Sequence, residues 1–181
     1  MTSGKLQLRK LRLSDEASFK KAVEEFATYE PEWTFAFHFD PAGNFADYIH
    51  NLEAWSEGRD LPGRFVPNTF LVGVVDDQIV GRLSLRHTLN DFLRRFGGHI
   101  GYGVVPSQRK HGYATEMLKQ SLPIAKSIGI NEVLITCDDD NIPSQKVIEK
   151  NGGVFEKKVN NAESNQLTCH YWIDMRRQSL S

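Results

Sequence analysis

The chain has 181 residues, 40% of them hydrophobic, which is enough for one domain with a buried core. Lys and Arg number 22 against 23 Asp and Glu, so no global electrostatic field favours binding to nucleic acid or to an anionic membrane. Because Cys137 and Cys169 are too few for a disulfide framework and no apolar run approaches about 18 residues, we expect a cytoplasmic protein with reduced thiols, and a single domain over residues 1–181.

The amino-terminal half predicts a strand, two helices and a β-hairpin. The expected elements are a strand at 6–13, helices at 14–28 and 45–57, and paired strands at 69–75 and 78–86. Ser14 is the expected N-cap of the first helix, and Asp76-Asp77 is the expected hairpin turn. Aromatic residues dominate the connection at 29–45. They indicate either the wall of a substrate pocket or, more commonly, hydrophobic core under a long connection.

The carboxyl-terminal half predicts alternating strands and helices. The expected elements are a helical turn within 88–97, a strand from 98, a helix at 114–128, a strand at 132–137, a helix from 141 that ends before 152, and strands at 154–160 and 166–175 joined by a polar turn at 161–165. Pro123 has no N–H to bond the Lys119 carbonyl, so we expect a kink or a split in its helix. Strands flanked by helices in this order predict an α/β or α+β fold.

The stretch 98–115 carries the clearest functional signal. An apolar strand leads into a basic turn that contains a glycine, and a helix follows at once. The first N–H groups of a helix have no partner within it, and the helix dipole adds positive character there, so such a turn attracts phosphate. Gly112 lets a ligand approach the backbone, and Arg109 and Lys110 add positive charge at the mouth. The stretch therefore predicts a phosphate-binding loop, although an isolated basic pair is also common in solvated turns.

The spacing from Arg109 through Gly112 to Ala114, R-x-x-G-x-A, resembles the pyrophosphate loop of the GNAT N-acetyltransferase superfamily, Q/R-x-x-G-x-G/A after a strand. A second strand and a helix start, N-x-x-S at 141–144, follow at the distance that the family shows. The sequence SLRH at 84–87, together with GGHIGY at 97–102, is similar to a group of bacterial predicted acetyltransferases without an assigned acceptor. The resemblance implies an α/β (α+β) fold with a mixed, mostly antiparallel twisted sheet of six to seven strands and helices on both faces.

The resemblance also implies acetyl-CoA as co-substrate. In the family the loop binds the pyrophosphate, the backbone near Val104 pairs with the pantetheine arm like an added strand, and Asn141 and Ser144 contact the arm and the departing sulfur. Gly101 and Gly103 lack side chains on one strand face, which leaves room for that arm. The expected cofactor-binding residues are Tyr102, Gly103, Val104, Arg109, Lys110, His111, Gly112, Tyr113, Ala114, Thr115, Asn141 and Ser144. Asn141 and Ser144 equally suit helix caps.

Acetylation of an amine benefits from a base for the amine and an acid for the leaving thiolate. His99 and His87 are the candidate bases, because histidine titrates near neutrality, although a single histidine is more often structural. Many family members carry a tyrosine four residues after the Ser144 position. Here that residue is Ile148, which cannot donate a proton, so the acid is Ser144, a tyrosine such as Tyr102, or water.

Aromatic side chains before Asp40 permit an amino acid, a polyamine, a peptide terminus or a drug-like amine as acceptor. In the family the region between the first two strands covers the acceptor, and Trp33 and Phe35 are candidates for its wall. Arg86 and Asn90 are candidates to orient an acceptor carboxylate or amide, although Arg86 also fits an exposed strand cation.

The sequence thus predicts an N-acetyltransferase that acts on a primary amine of a small molecule or peptide by direct attack in a ternary complex, without a metal. The acidic run at 138–140 favours a solvated turn over a cation site, because position six of a calcium loop would be Pro143 instead of glycine. A non-catalytic acyl-CoA-binding sensor is the alternative, and Ile148 permits it. We expect no nucleic-acid or membrane partner, and the resemblance makes a homodimer plausible.

Overall fold

The computed structural model describes residues 4–161 and 166–176, so most of the polar turn expected at 161–165 lies outside the described residues. The helices are α1 (Glu16–Tyr29), α2 (Phe45–Ser56), α3 (Tyr113–Ser127) and α4 (Ile142–Lys150). The strands are β1 (Gln7–Arg9), β2 (Asn68–Val75), β3 (Gln78–Arg86), β4 (Ile100–Val104), β5 (Glu132–Asp138), β6 (Val154–Asn161) and β7 (Gln166–Asp174). Short turns of other helical types lie at Leu13–Asp15, Leu93–Gly97 and Pro106–Gln108. This order of elements is the one that the sequence predicts.

The strands form two antiparallel sheets with the orders β1-β2-β3-β4 and β5-β7-β6. The β2–β3 hairpin turns at Asp76 and Asp77, whose φ angles of 47° and 60° are the left-handed values that a tight two-residue turn requires. Buried side chains of α1 and α2 join one hydrophobic core, and those of α3 and α4 join another. The expected fold class, with mostly antiparallel strands and helices on both faces, is confirmed.

A clamp links the two sheets where the residue before β4 meets β5. The His99 N–H donates to the Leu134 carbonyl at 2.7 Å, and His99 Nδ1 accepts from the Leu134 N–H at 2.9 Å. Gly98 permits this approach, because its φ is 62° and a β-carbon there would lie 2.6 Å from the Leu134 carbonyl oxygen. Within the described ranges no strand pairing joins β4 to β5. Beyond the clamp, both strands border a gap that holds the candidate site.

The two cores lie on opposite faces of the first sheet. Neighbouring β2 residues alternate between them, since Leu71 belongs to the core of α3 and α4, whereas Phe70 and Val72 belong to the core of α1 and α2. The second core is aromatic, with the fully buried Phe19 in ring contact with five others. Those rings are Phe35, Phe39, Phe45, Tyr48 and Phe70. Much of the aromatic connection at 29–45 is therefore core.

Pro123 lies inside α3, which continues through all 15 of its residues. The expected split of this helix is therefore wrong, whereas the alternative of a kink remains a prediction. Burial on both sides of the proline explains the continuity, since Leu118, Leu122 and Ala125 are all buried in the core. Their packing outweighs the one backbone hydrogen bond that a proline removes.

A buried ion pair fixes the start of α1 against β1. Asp15 is 5% exposed, and its two carboxylate oxygens accept from the Arg9 guanidinium at 2.7 and 2.8 Å. One of these oxygens also accepts from the Arg12 N–H at 2.8 Å. The hydrogen bonds from Arg9 are the main cause that lowers the pKa of Asp15, so the fold favours the charged carboxylate.

The Asp15→Asn variant leaves the Arg9 guanidinium without its charged partner, which we expect to lower the free energy of unfolding at pH 7 by about 3 kcal/mol. The pKa of Asp15 is lower in the folded protein than in the unfolded chain. Its contribution is therefore complete above pH ~4 and is lost as the pH falls through the folded pKa. Urea unfolding between pH 7 and pH ~3 should show the two proteins converging at low pH. The exposed Asp91→Asn is the control, and equal stability of wild type and Asp15→Asn at pH 7 would contradict the prediction.

Candidate functional site

Three cavities follow one another along the gap, and neighbouring cavities share lining residues. The loop cleft has a volume of about 580 Å³ and lies between β4, the turn before α3 and the start of α4. The central cavity, of about 330 Å³, shares Tyr102 and Ser144 with the loop cleft. The apolar cavity, of about 540 Å³, shares Phe37 and Arg86 with the central cavity.

The loop cleft brings together all of the residues expected to bind the cofactor except His111. The lining residues among them are Tyr102, Gly103, Val104, Arg109, Lys110, Gly112, Tyr113, Ala114, Thr115, Asn141 and Ser144. His111 is exposed, with its Nδ1 3.1 Å from the Gln108 carbonyl oxygen and its ring stacked on Tyr113. His111 therefore shapes the turn without lining the cleft.

The start of α3 has the geometry of an anion receptor. Gly112 is its N-cap with a φ of 80°, and a β-carbon there would have nothing within 4 Å. The first backbone bond of the helix joins the Glu116 N–H to the Gly112 carbonyl at 3.1 Å, so the N–H groups of Ala114 and Thr115 precede the helical ladder. Both residues line the loop cleft. The helix dipole adds positive character at this end.

Arg109 ties the turn to its surroundings. Its Nη1 lies 2.8 Å from a Glu30 carboxylate oxygen, and its Nε donates to the Val104 carbonyl at 3.3 Å. Glu30 thus compensates part of the charge of Arg109. Lys110 is exposed in the left-handed region with a φ of 67°, at the mouth of the same cleft.

The space beside Gly101 and Gly103 is filled, contrary to the expectation that it accommodates the cofactor's arm. A β-carbon on Gly103 would lie 2.7 Å from the Trp33 ring, and one on Gly101 would lie 3.4 Å from the Arg86 guanidinium. These glycines let Trp33 and Arg86 pack directly on the backbone of β4. Residues 102–104 are the part of β4 that borders the loop cleft.

A pair of hydroxyl groups lies where the loop cleft joins the central cavity. Tyr102 Oη is 2.8 Å from Ser144 Oγ. Burial raises the pKa of Tyr102, so the phenol keeps its proton at neutral pH. Asn141 is the N-cap of α4, and its side chain accepts from the Ser144 N–H at 3.1 Å. Ile148 is fully buried in the core, which suits its aliphatic side chain.

Two residues at the end of β5 complete the central cavity. Burial raises the pKa of Cys137 to about 12, so its thiol is not a nucleophilic thiolate at neutral pH. Partial burial, followed by the charge of Asp140, raises the pKa of the Asp138 carboxyl. Asp138 is exposed, as expected for the run at 138–140, yet it borders the same cavity as the hydroxyl pair.

The apolar cavity is formed by the connection before β2, the end of β3 and the turn at Leu93–Gly97. Its lining residues are Phe37, His38, Pro62, Gly63, Arg64, Phe65, Val66, Asn68, Ser84, Arg86, Asn90, Phe92 and Leu93. Asn90 links two of these segments, since its Nδ2 donates to the Arg64 carbonyl at 3.3 Å and its Oδ1 accepts from the Leu93 N–H at 2.9 Å. Such a cavity suits an organic group.

Neither candidate base lines any of the three cavities. His99 forms the clamp, and because its Nδ1 accepts from the Leu134 N–H its ring is neutral. Burial, assisted by nearby arginines, lowers the pKa of His99 to about 4. His87 Nε2 lies 2.8 Å from Thr69 Oγ1, and burial lowers its pKa as well. These are positions of structural histidines, so the expectation that His99 or His87 acts as the base finds no support in the geometry.

The four candidate acceptor residues separate into two groups. Phe35 is 3% exposed, packs on Phe19 and Phe26, and lines none of the three cavities, so it belongs to the core and not to an acceptor wall. Trp33 lines the loop cleft and the central cavity, Arg86 lines the central and apolar cavities, and Asn90 lines the apolar cavity.

The sequence interpretation missed Arg82, which is 2% exposed and lines the central cavity. A signal was available, because the alternation of β3 places Arg82, Ser84 and Arg86 on one face. The reasoning that identified Arg86 therefore applies to Arg82 as well.

Within 4–161 and 166–176, no group of three or more His, Cys, Asp or Glu side chains is arranged to hold a metal ion. In the same ranges, no helix combines the length and the apolar character needed to span a bilayer.

Sequence comparison identifies a known domain in this chain. The acetyltransferase (GNAT) domain family matches residues 5–154. The uncharacterized N-acetyltransferase YnaD of Bacillus subtilis is 34% identical over 76 residues, which cover 38% of this chain and 45% of YnaD. The match therefore spans less than half the length of that relative.

Solved acetyltransferase structures share the fold. RimJ from Mycobacterium smegmatis, in complex with CoA-disulfide, has a TM-score of 0.72 and 21% identity over 97% of this chain and 86% of its own. The putative acetyltransferase YncA from Salmonella typhimurium, with acetyl-CoA, has a TM-score of 0.60 and 15% identity over 96% of both chains. A ribosomal-protein-alanine acetyltransferase from Vibrio fischeri has a TM-score of 0.70 and 16% identity over 99% of this chain and 100% of its own. The chain belongs to the GNAT acetyltransferase family.

Proposed function

We propose that the protein transfers the acetyl group of acetyl-CoA to a primary amine of a small molecule or peptide by direct attack in a ternary complex. One observation carries this proposal: the loop cleft and the apolar cavity both adjoin the central cavity that holds the Tyr102–Ser144 hydroxyl pair. The loop cleft suits a phosphorylated cofactor, and the apolar cavity suits an organic acceptor. A sensor of acyl-CoA needs only the loop cleft, so the presence of the apolar cavity favours catalysis.

The residues of the loop cleft fit acetyl-CoA. The first turn of α3 and Lys110 suit the pyrophosphate, and the backbone of residues 102–104 offers a strand edge to the pantetheine arm. The complexes of RimJ with a CoA disulfide and of YncA with acetyl-CoA support this choice. Holding amine and thioester together in this way contributes about 7 to 11 kcal/mol to lowering the barrier.

The Tyr102–Ser144 pair is suited to protonate the leaving group. Acetyl-CoA supplies an activated acyl carbon, to which the amine nitrogen bonds while the C–S bond breaks and the sulfur leaves with the electron pair. The Tyr102 hydroxyl is protonated at neutral pH and gives its proton to that sulfur. The Ser144 hydroxyl, 2.8 Å away, then stabilises the phenolate by donating a hydrogen bond.

Asp138 is suited to remove the proton from the amine. It borders the central cavity, and its raised pKa makes it a stronger base than an ordinary aspartate. Asp138 thus takes the role of base for which His99 and His87 were candidates, since neither histidine lines a cavity.

The direct test is the release of free CoA thiol from acetyl-CoA in the presence of amino acids, polyamines and short peptides. Release that depends on an added amine supports the proposed function. Tight binding of acetyl-CoA without release for any amine would instead support a non-catalytic acyl-CoA-binding protein.

The Gly112→Glu variant places a carboxylate where a phosphate is expected, so we expect it to lose acetyl-CoA binding. At 100 times its Kd the cofactor stabilises a protein by about 2.7 kcal/mol, which for this chain length is roughly 5 to 10 °C in Tm. The measurement is the Tm with and without acetyl-CoA, and Arg109→Ala combined with Gly112→Glu should behave in the same way.

Gly129→Glu is the matched control for this experiment. Gly129 has a φ of 88° and open space around its missing β-carbon, as Gly112 does, but lies just beyond the opposite end of α3. The control should keep the full cofactor-induced shift. A full shift in Gly112→Glu would exclude the start of α3 as the phosphate site.

The Tyr102→Phe variant removes the proposed acid and keeps the ring, so we expect kcat to fall about 100-fold with little change in the KM for acetyl-CoA. Adding Ser144→Ala to Tyr102→Phe should cost little more, because the two hydroxyls act as a unit. Tyr171→Phe is the control, since this buried tyrosine lies outside the three cavities with its hydroxyl 3.4 Å from Gln145. Wild-type kcat in Tyr102→Phe would refute the assignment.

The Asp138→Asn variant should lower kcat/KM for the acceptor by about 100-fold at neutral pH. As the pH falls below the raised pKa of Asp138, the carboxylate of the wild type is protonated and its activity should fall. The variant has no carboxylate at this position, so it should not show this loss. A pH–rate profile of both proteins measures this. Asp140→Asn, in the same acidic run, should keep the activity at neutral pH and shift the acid limb of the profile to lower pH, because the charge of Asp140 contributes to the raised pKa of Asp138. An unchanged profile in Asp138→Asn would contradict the role.

A further inference from the structure

Two arginines on one face of β3 line the central cavity. Arg82 is 2% exposed and Arg86 is half-buried. Arg82 Nη2 donates to the Thr34 carbonyl at 2.8 Å, and Arg86 Nη1 donates to the Gly97 carbonyl at 2.8 Å. Among the residues that the structure describes, neither guanidinium has a carboxylate oxygen within 4.0 Å.

The groups around Arg82 solvate its charge without compensating it. The rings of Trp33 and Phe37 lie with their centroids 4.0 and 5.2 Å from the guanidinium carbon, and neither carries a net negative charge. In the described part of the chain, Arg82 Nε is buried and has no hydrogen-bond partner. Burial, followed by the charge of Arg86, lowers the pKa of Arg82 to about 9, which still leaves it protonated at neutral pH. A buried charge without a counter-charge is unfavourable, so the cavity favours an anion.

Arg86 connects the cavity that holds the hydroxyl pair to the apolar cavity. Tyr102 and Ser144 line the central cavity together with both arginines, and Arg86 also lines the apolar cavity. A molecule that spans both cavities meets a hydroxyl pair, two guanidinium groups and an apolar wall that includes Phe65. An α-amino acid with an apolar side chain carries an amine, a carboxylate and an apolar group within a few atoms of one another.

We propose that the acceptor is a free hydrophobic α-amino acid, whose carboxylate is bound by Arg82 and Arg86 and whose side chain occupies the apolar cavity. This inference rests on the proposed acetyltransferase function. Guanidinium groups match the planar carboxylate in charge and in hydrogen-bond geometry. The amino terminus of a peptide has an amide in place of this carboxylate, so it leaves the buried arginines unpaired. Sites of this kind discriminate strongly against a substrate that lacks the recognised group.

The experiment compares free Leu, Ile, Met, Phe and Trp with their amides and with dipeptides that begin with the same residues. Release of CoA thiol is measured with the same acetyl-CoA concentration and the same protein concentration in every assay. We expect kcat/KM for at least one free amino acid to exceed that of its amide and its dipeptide by about 100-fold. The amine of an amide is the less basic of the two, so protonation of the amine cannot cause this preference. The phosphonate analogue of the preferred amino acid tests whether any anion suffices.

The variants Arg82→Gln and Arg86→Gln should each lower kcat/KM for the preferred amino acid at least 10-fold and reduce its advantage over the amide. Arg176→Gln, an exposed arginine that pairs with Glu132, is the control and should keep the wild-type preference. Arg82→Met provides a second readout, because relief of an unpaired buried charge should preserve or raise the Tm without acceptor. A variant that keeps its Tm and loses only the preference separates binding from folding.

Three outcomes would overturn the proposal. If amides or peptides are acetylated at the same rate as the free amino acids, the proposal is refuted and the acetyltransferase function stands. The same holds if the preference for the free amino acid survives in both glutamine variants. If acetyl-CoA binds but none of these amino acids is acetylated, none of them is the acceptor and the proposal is overturned. Failure to bind acetyl-CoA at all would instead refute the proposed function.

Discussion

The clamp between His99 and Leu134 is the constraint on which the rest of the site depends. It satisfies the backbone of two neighbouring strands at one point, while β4 and β5 remain unpaired beyond it, in the part of the chain that the structure describes. An unpaired strand edge offers N–H and C=O groups to an extended ligand. The clamp requires a neutral imidazole that accepts from a backbone N–H, and burial ensures this by lowering the pKa of His99 to about 4. A glycine must precede His99, because any β-carbon at Gly98 would collide with Leu134.

The functional groups reach the gap from elements whose other faces are anchored in the two cores. Met117 and Leu118 fix α3 in one core, so its amino-terminal end is held at the loop cleft. Ser144 projects from the first turn of α4, which Asn141 caps, and meets Tyr102 from β4. The hydroxyl pair therefore depends on packing between a strand and a helix that are far apart in sequence. Rigid placement of this kind lets a site of ordinary side chains hold reacting groups together.

The same chemical group stabilises the fold in one place and lines the candidate site in another. Arg9 is paired with Asp15 through two hydrogen bonds, so its charge is compensated within the chain and anchors α1. Arg82 is buried and Arg86 is half-buried, but their partners are neutral carbonyl groups and aromatic rings. A net charge of −1 conceals this local imbalance, since it sums over the whole chain. Where a buried charge lacks its counter-charge, a ligand is the natural source of one.

The sequence by itself determined the order of elements, the fold class and the glycine-bearing turn before α3, because these depend on local patterns: alternation, caps, and the glycine and helix start at Gly112. The sequence did not determine whether the helix continues past Pro123, because packing in the core holds that helix together. It also did not determine the roles of His99 and Phe35, because these depend on residues that are distant in the chain. Only the tertiary structure decided which side chains meet. It placed Tyr102 against Ser144 and Arg82 beside Arg86 in one cavity, because burial and contact between distant elements are set by the packing of the two sheets and their helices, and not by spacing along the chain.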